Sequence, residues 1–131
     1  MGQAFFYEAG WDDVTQWDND LALSSLYKLC GNQEASFFVL KSESKVVGMV
    51  GGVINEMWFS SDMIGQELFW YVHPDYRGKI GLKLLRTLEA DLRLRGADMI
   101  CMISLAKGMD LAKFFVKGGY RSSENTFIKR F

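Results

Sequence analysis

The chain is poor in the residues that build metal sites and disulfide frameworks: its 131 residues contain two cysteines, Cys30 and Cys101, and one histidine, His73. The cysteines are too far apart in sequence to form a C-x-x-C redox or metal pair, so they read as reduced core residues. A lone histidine excludes the multi-histidine metal sites, and no metal is expected. Proline occurs once, at Pro74, and no Pro-rich or low-complexity stretch divides the chain. Long apolar runs are also missing. Val46 to Ile54 and Met99 to Ile103 fall far below the ~20 residues that cross a bilayer, and the N-terminus lacks a basic region followed by an apolar one. No membrane partner is expected, and the chain reads as cytoplasmic. Positive charge is absent from the front, where Met1 to Tyr27 carries Glu8, Asp12, Asp13, Asp18 and Asp20 but no Lys or Arg.

What is present is apolar and aromatic. A composition 49% hydrophobic and 15% aromatic supplies one continuous core, so residues 1–131 are expected to form a single domain. The basic residues missing from the front gather in Arg77 to Arg95, as Arg77, Lys79, Lys83, Arg86, Arg93 and Arg95 against Glu89 and Asp91. The simplest role for any one of these charges is a solvated helix face. Together, the basic segment suits an anionic ligand and the acidic front a cationic one. A net charge of −1 and the lack of paired stacking motifs argue against nucleic acid as a partner.

Patterning along the chain alternates strand and helix. Phe5, Phe6 and Tyr7 suit either an edge strand or a packed arm. Trp11 to Cys30 reads as helix in one or two pieces, with Asp20 as N-cap, an apolar face of Leu21, Leu23, Leu26, Tyr27 and Cys30, and Gly31 as the stop. Ser36 to Lys41 and Lys45 to Asn55 form an antiparallel hairpin, the second strand interrupted by Gly48, Gly51 and Gly52, which admit a bulge or a close backbone approach. The apolar residues of Asn55 to Gly65, including Trp58 and Phe59, suit core or rim packing, with a pocket wall or a dimer contact as the alternative. Glu67 to Val72 is a strand, Gly81 to Arg95 an amphipathic helix over Leu84, Leu85, Leu88 and Leu92, Ala97 to Leu105 a buried strand, Asp110 to Val116 a short helix, and Thr126 to Phe131 a closing strand. The order implies an α/β (α+β) sandwich around a mixed sheet.

The junction ELFWYVHPDYRGKIGLKLL, Glu67 to Leu85, carries the chemistry. Pro74 has no N–H to continue a ladder and holds His73 extended, which ends the strand in a turn. Gly78 and Gly81 then let successive backbone N–H groups face one centre at a helix start, where Arg77, Lys79 and Lys83 add full charges. An anionic phosphate group is the natural occupant.

Val72-His73-Pro74 followed by Arg77-Gly78-Lys79 resembles motif A of the GNAT superfamily of acetyl-CoA-dependent N-acetyltransferases. Phe114-Phe115-Val116-Lys117-Gly118-Gly119-Tyr120 resembles the end of that family's motif B. The likeness covers about residues 36 to 131 and is also seen to the compact members of tailed bacteriophages, through Gly81-Leu82-Lys83-Leu84-Leu85. It implies a single-domain, mainly antiparallel mixed sheet with helices on both faces and a splayed central strand pair. The cofactor would be acetyl-CoA, held by Tyr71, Val72, Arg77, Gly78, Lys79, Ile80, Gly81, Leu82, Lys83 and Phe115, and the second substrate an amine acceptor. There are departures. The family's glycine positions fall on Ile80 and Leu82, as if one loop residue were missing; the tyrosine that protonates the departing thiolate is Phe115; and a frequent asparagine falls near Gly108.

The resemblance makes Glu67 the candidate general base, sharing a face with Phe69 and Tyr71, where aromatic surroundings would raise its pKa; a solvated strand-edge glutamate is the alternative. Tyr71, Tyr76, Tyr120 or water is left to act as the acid, Tyr71 being the candidate on the same strand as Glu67. His73 reads as a turn residue and Tyr120 as a core residue. Two functions stand: an N-acetyltransferase acting on a primary amine of a small molecule or protein, and a catalytically weak or inactive acyl-CoA-binding protein acting through protein interaction. The aromatics of residues 55–65 and the closing strand add a homodimer to the expectations.

Overall fold

The sheet opens on a hairpin. In the computed structural model, which describes residues 1–105, 107 and 110–131, β1 (Ala35–Ser42) and β2 (Lys45–Glu56) pair antiparallel. Glu43 and Ser44 join them with φ of 47° and 69°, the left-handed pair whose twist matches that of the strands. β3 (Met63–Val72) adds antiparallel to β2, and β4 (Met99–Cys101) adds parallel to β3, giving the order β1-β2-β3-β4.

The glycines of β2 do have a local purpose. The β2–β3 register shifts between Gly51 and Gly52, which pair with Phe69 and Glu67, leaving Leu68 as an extra residue. A Cβ on Gly51 would lie 2.6 Å from Phe69 Cζ, so only glycine lets that ring cross the strand.

One face of the sheet is closed by α3 (Lys79–Leu94), whose Leu84, Leu88 and Leu92 interlock with Val50, Ile54 and Val72. Burying each such leucine contributes roughly 1.5–3 kcal/mol, enough to make this the main core. α1 (Gly2–Glu8) lies against β3, and α2 (Asn19–Cys30) lies against β1. α4 (Ala112–Lys117) stands beside Trp70, which its Phe114 and Phe115 rings approach. The mixed sheet is as the sequence pattern implies, and the helices on both faces are as the resemblance implies.

Several expectations at the ends of the chain need correction. The first residues are helical, with Phe6 buried edge-on against Trp17. α2 is capped by Asp18, not Asp20: its carboxylate accepts the Leu21 N–H at 2.9 Å. Leu21, Leu23 and Tyr27 are exposed, because Ala22, Leu26 and Leu29 form the inward stripe. Cys30 is exposed and Cys101 half-buried, both as free thiols, so neither is a fully buried core residue. Trp58 and Phe59 occupy the exposed β2–β3 turn, not the core. Thr126 to Phe131 forms no strand and is exposed.

The predicted strand Ala97 to Leu105 is reduced to β4. Its pairing stops at Gln66↔Cys101, while β3 runs on to Val72, so the two strands part. A side chain supplies the reason: Glu67 Oε2 accepts the Ile103 N–H at 3.0 Å, taking a backbone donor that would otherwise seek a strand partner. This is the splayed pair that the resemblance implied.

Candidate functional site

The cleft opened by this divergence has the end of β3 on one side and the chain after β4 on the other. Glu67 sits at its apex. Only 4% of the residue is exposed, which excludes the solvated-edge reading. Burial pushes its carboxyl up from the usual 4.5 to about 7, the Ile103 N–H opposing that shift only in part. A carboxylate with this pKa is half-ionised near neutrality, which suits a group that must accept a proton. The predicted face is different, however. Because of the bulge, Glu67 pairs with Gly52 while Phe69 pairs with Gly51, so simple alternation with Phe69 and Tyr71 is broken. Glu67 turns instead to Ile103 across the gap.

Tyr71 is buried, with the Arg77 guanidinium 5.8 Å above its ring. Among the described residues no hydrogen bond links Tyr71 to Glu67. Arg77 points inward: its Nε donates to the Val72 carbonyl at 3.0 Å, and Nη2 donates to Glu8 at 2.5 Å. It therefore does not converge with the other predicted cations. Lys79 and Lys83 line, with Arg86, Leu82 and Phe38, an open groove of about 750 Å³ between α3 and β1.

Around the turn, His73 caps the short helical turn Pro74–Tyr76, Nδ1 accepting the Asp75 N–H at 3.3 Å, which is the turn role expected of it. Gly78 is the N-cap of α3 at φ 102°, ψ −130°, a conformation for glycine, and a Cβ there would enter open space. The helix starts at Lys79 instead of Gly81, which places the buried Gly81 in its first turn. Ile80 is exposed at 40%. The N–H groups of Lys79, Ile80 and Gly81 have no carbonyl within the helix to bond and form the positive end of its dipole.

A cofactor with a phosphate group and an apolar arm can be tested against these groups. Gly81 lies against Val72 and Trp70, a Cβ there falling 3.5 Å from Val72 Cγ2 and 3.8 Å from Trp70 Cζ2. Trp70 Nε1 is buried without a hydrogen-bond partner among the described residues. An orphan indole donor beside orphan helix donors fits a ligand rich in acceptors. Phe115 is buried and packs on Trp70 and Tyr120, with ring centroids 6.2 and 5.2 Å away, so it offers shape and no proton. Tyr120 donates its hydroxyl to Glu89, and burial together with that bond raises its pKa, so it ties α4 to α3 and is a poor acid. Gly108 lies outside the described residues.

Sequence reasoning missed three partners: Glu8, Trp70 and the Ile103 N–H. Only Trp70, a polar-edged aromatic adjoining Tyr71, left any mark in the sequence. Among the described residues no cluster of three or more His, Cys, Asp or Glu could hold a metal, and no helix is long and apolar enough to cross a membrane.

The fold recurs in solved structures. The chain superposes on an acetyltransferase of Trypanosoma brucei with a TM-score of 0.71 and 18% identity, covering 96% of this chain and 89% of that one. For glucosamine-6-phosphate N-acetyltransferase from Arabidopsis thaliana the TM-score is 0.73 at 17% identity, covering 97% and 88%. For the aminoglycoside N-acetyltransferase AAC(6')-Iy, in complex with a bisubstrate analogue containing CoA, it is 0.75 at 12% identity, covering 90% and 83%. These likenesses concern the fold. Among curated proteins none matches by sequence. The model of the acetyltransferase (GNAT) family matches residues 3–120, nearly the whole described fold, and the chain therefore belongs to that family.

Proposed function

We propose that the protein transfers an acetyl group from acetyl-CoA to a primary amine of a small molecule or protein, with Glu67 as the general base. The observation that carries the reading is a buried carboxyl, with a pKa of about 7, at the apex of the gap between β3 and β4. Acetyl-CoA would supply an activated acyl thioester. The donors at the start of α3 and Trp70 Nε1 would bind it, the Lys79 and Lys83 side chains adding charge from the neighbouring groove. Glu67, directly or through water, would take the proton from the incoming ammonium or amine. A backbone N–H near Tyr71 and Val72 that points into the gap would stabilise the oxyanion, a contribution of roughly 3 kcal/mol per donor.

The acceptor is proposed more coarsely. Neighbours of this fold are named for aminoglycosides and glucosamine-6-phosphate, both bearing amines. The acidic front supports a cationic acceptor less than its composition suggests, since Glu8 is paired with Arg77 and Asp13 with Lys107. Of the supports for a homodimer, the closing strand is not formed and the exposed Trp58–Phe59 turn is left; light scattering that gives a monomer would dismiss it.

A second reading, an acyl-CoA binder of low turnover, is favoured by Phe115 and by the engagement of the Tyr120 hydroxyl with Glu89. Thiol release from acetyl-CoA across a panel of amines separates the two. Turnover that Glu67→Gln cuts at least a hundredfold supports the enzyme. Binding without turnover on any amine supports the binder.

A further inference from the structure

The indole of Trp70 lies between two elements that it has no structural need to join by a hydrogen bond. It stands on the part of β3 beyond the last β4 partner, Gln66. Its Cζ2 edge, which adjoins Nε1, faces the side-chain-free first turn of α3 at Gly81. On its other side are the α4 rings of Phe114 and Phe115, with centroids 6.1 and 6.2 Å away. In this slot Nε1 is hidden from solvent, and it is the one buried side-chain nitrogen or oxygen without a partner among the described residues. A buried donor left without a bond is destabilising, so a phenylalanine would suit the position better if packing were the only demand.

We propose that Trp70 donates its indole N–H to an amide carbonyl of the pantetheine arm of the acyl-CoA. This rests on the acetyl-CoA reading above and adds to it a recognition residue of this chain. The choice of the arm over the phosphates follows from the surroundings. Trp70, Phe114 and Phe115 form an aromatic slot where a phosphate would lose its hydration without gaining a cation. Lys79 and Lys83 line the separate groove between α3 and β1, which Trp70 does not line, and Arg77 is held by Glu8 and the Val72 carbonyl. A neutral amide on an apolar chain has the opposite needs: aromatic walls for its methylenes and one donor for its oxygen.

The test titrates the folded protein and Trp70→Phe calorimetrically with CoA and with adenosine 3',5'-bisphosphate, which carries phosphates but no arm. The expected result is a roughly five- to tenfold loss of CoA affinity in the variant, the scale of one neutral hydrogen bond, with the bisphosphate unaffected. Equal weakening of both ligands would move the donor to a phosphate and overturn the proposal. An unchanged CoA affinity would mean that the N–H meets only water, and would overturn it as well. Absence of CoA binding to the wild type would instead reject the cofactor reading itself, and this inference with it. A readout independent of the variant's folding is the indole ¹⁵N–¹H resonance of Trp70 in the wild type, distinguished from those of Trp11, Trp17 and Trp58 by single substitutions of these. Pantetheine should shift it downfield. No shift at saturating pantetheine counts against the bond.

Discussion

The two ends of β3 are built on opposite principles. At Met63 the strand is paired on both sides, and Asp98 clamps it twice: its carboxylate accepts the Met63 N–H at 2.8 Å, and its own N–H donates to the Met63 carbonyl at 2.8 Å. At Val72 the strand is paired with β2 alone, and its neighbours are a charged pair, an orphan indole and a helix start. The closed end satisfies its backbone within the fold. The open end leaves donors for something else. A strand held firmly at one end can afford to be incomplete at the other, and the candidate site occupies the incomplete half.

The largest effect that would break this contrast is at its midpoint. Glu67→Gln should lower turnover by roughly 10²–10⁴-fold, and the wild-type rate should rise through pH 7 as the carboxyl ionises, a step the variant lacks. Stability should run the other way. The native carboxyl holds its proton up to about 7 whereas the unfolded one releases it near 4.5. The burden of burying it is therefore absent below that range, grows through it, and reaches on the order of 3 kcal/mol above it. Urea midpoints at pH 5 and pH 8 should fall with pH in the wild type and stay closer together in the variant.

At the closed end, Gly65→Val should cost about 2–3 kcal/mol by overpacking, since even a Cβ would lie 2.8 Å from Leu92 Cδ1. Asp98→Ala should cost about 1 kcal/mol through the lost carboxylate bond. If either altered CoA affinity in the folded protein beyond twofold, the two ends would not be independent. The smallest effect is expected at the open end, where Glu8→Ala should remove about 0.5–1 kcal/mol from stability, an effect that weakens at high salt.

How far the sequence could reveal this depends on the kind of signal. The helix over Leu84, Leu85, Leu88 and Leu92 was legible because its period matches its buried stripe, and the hairpin because β-branched residues flank a polar turn. Gly78 and Gly81 were legible as the turn that opens α3, because small residues there let the chain leave the strand end and enter the helix. The partners of Arg77 and Glu67 were not. A sequence shows that a guanidinium is present but not that Glu8 will reach it from α1, and the bulge that redirects Glu67 depends on Phe69 crossing Gly51 in another strand. The missing closing strand had a similar cause: Thr126 to Phe131 has the residues of a strand, but pairing requires an edge, and that information lies elsewhere in the chain.

The Glu67–Ile103 bond ties chemistry to the shape of the cleft. The carboxylate that would receive the substrate's proton is also the acceptor that keeps the chain after β4 away from β3. Once it carries a proton it is a weaker acceptor, so each turnover would briefly loosen the pin of its own cleft. Amide hydrogen exchange at Ile103, corrected for its intrinsic pH dependence, should thus report the protonation of Glu67 without any substrate present. Protection should fall as the pH drops through about 7, and a flat profile would show that the cleft is held open by other means.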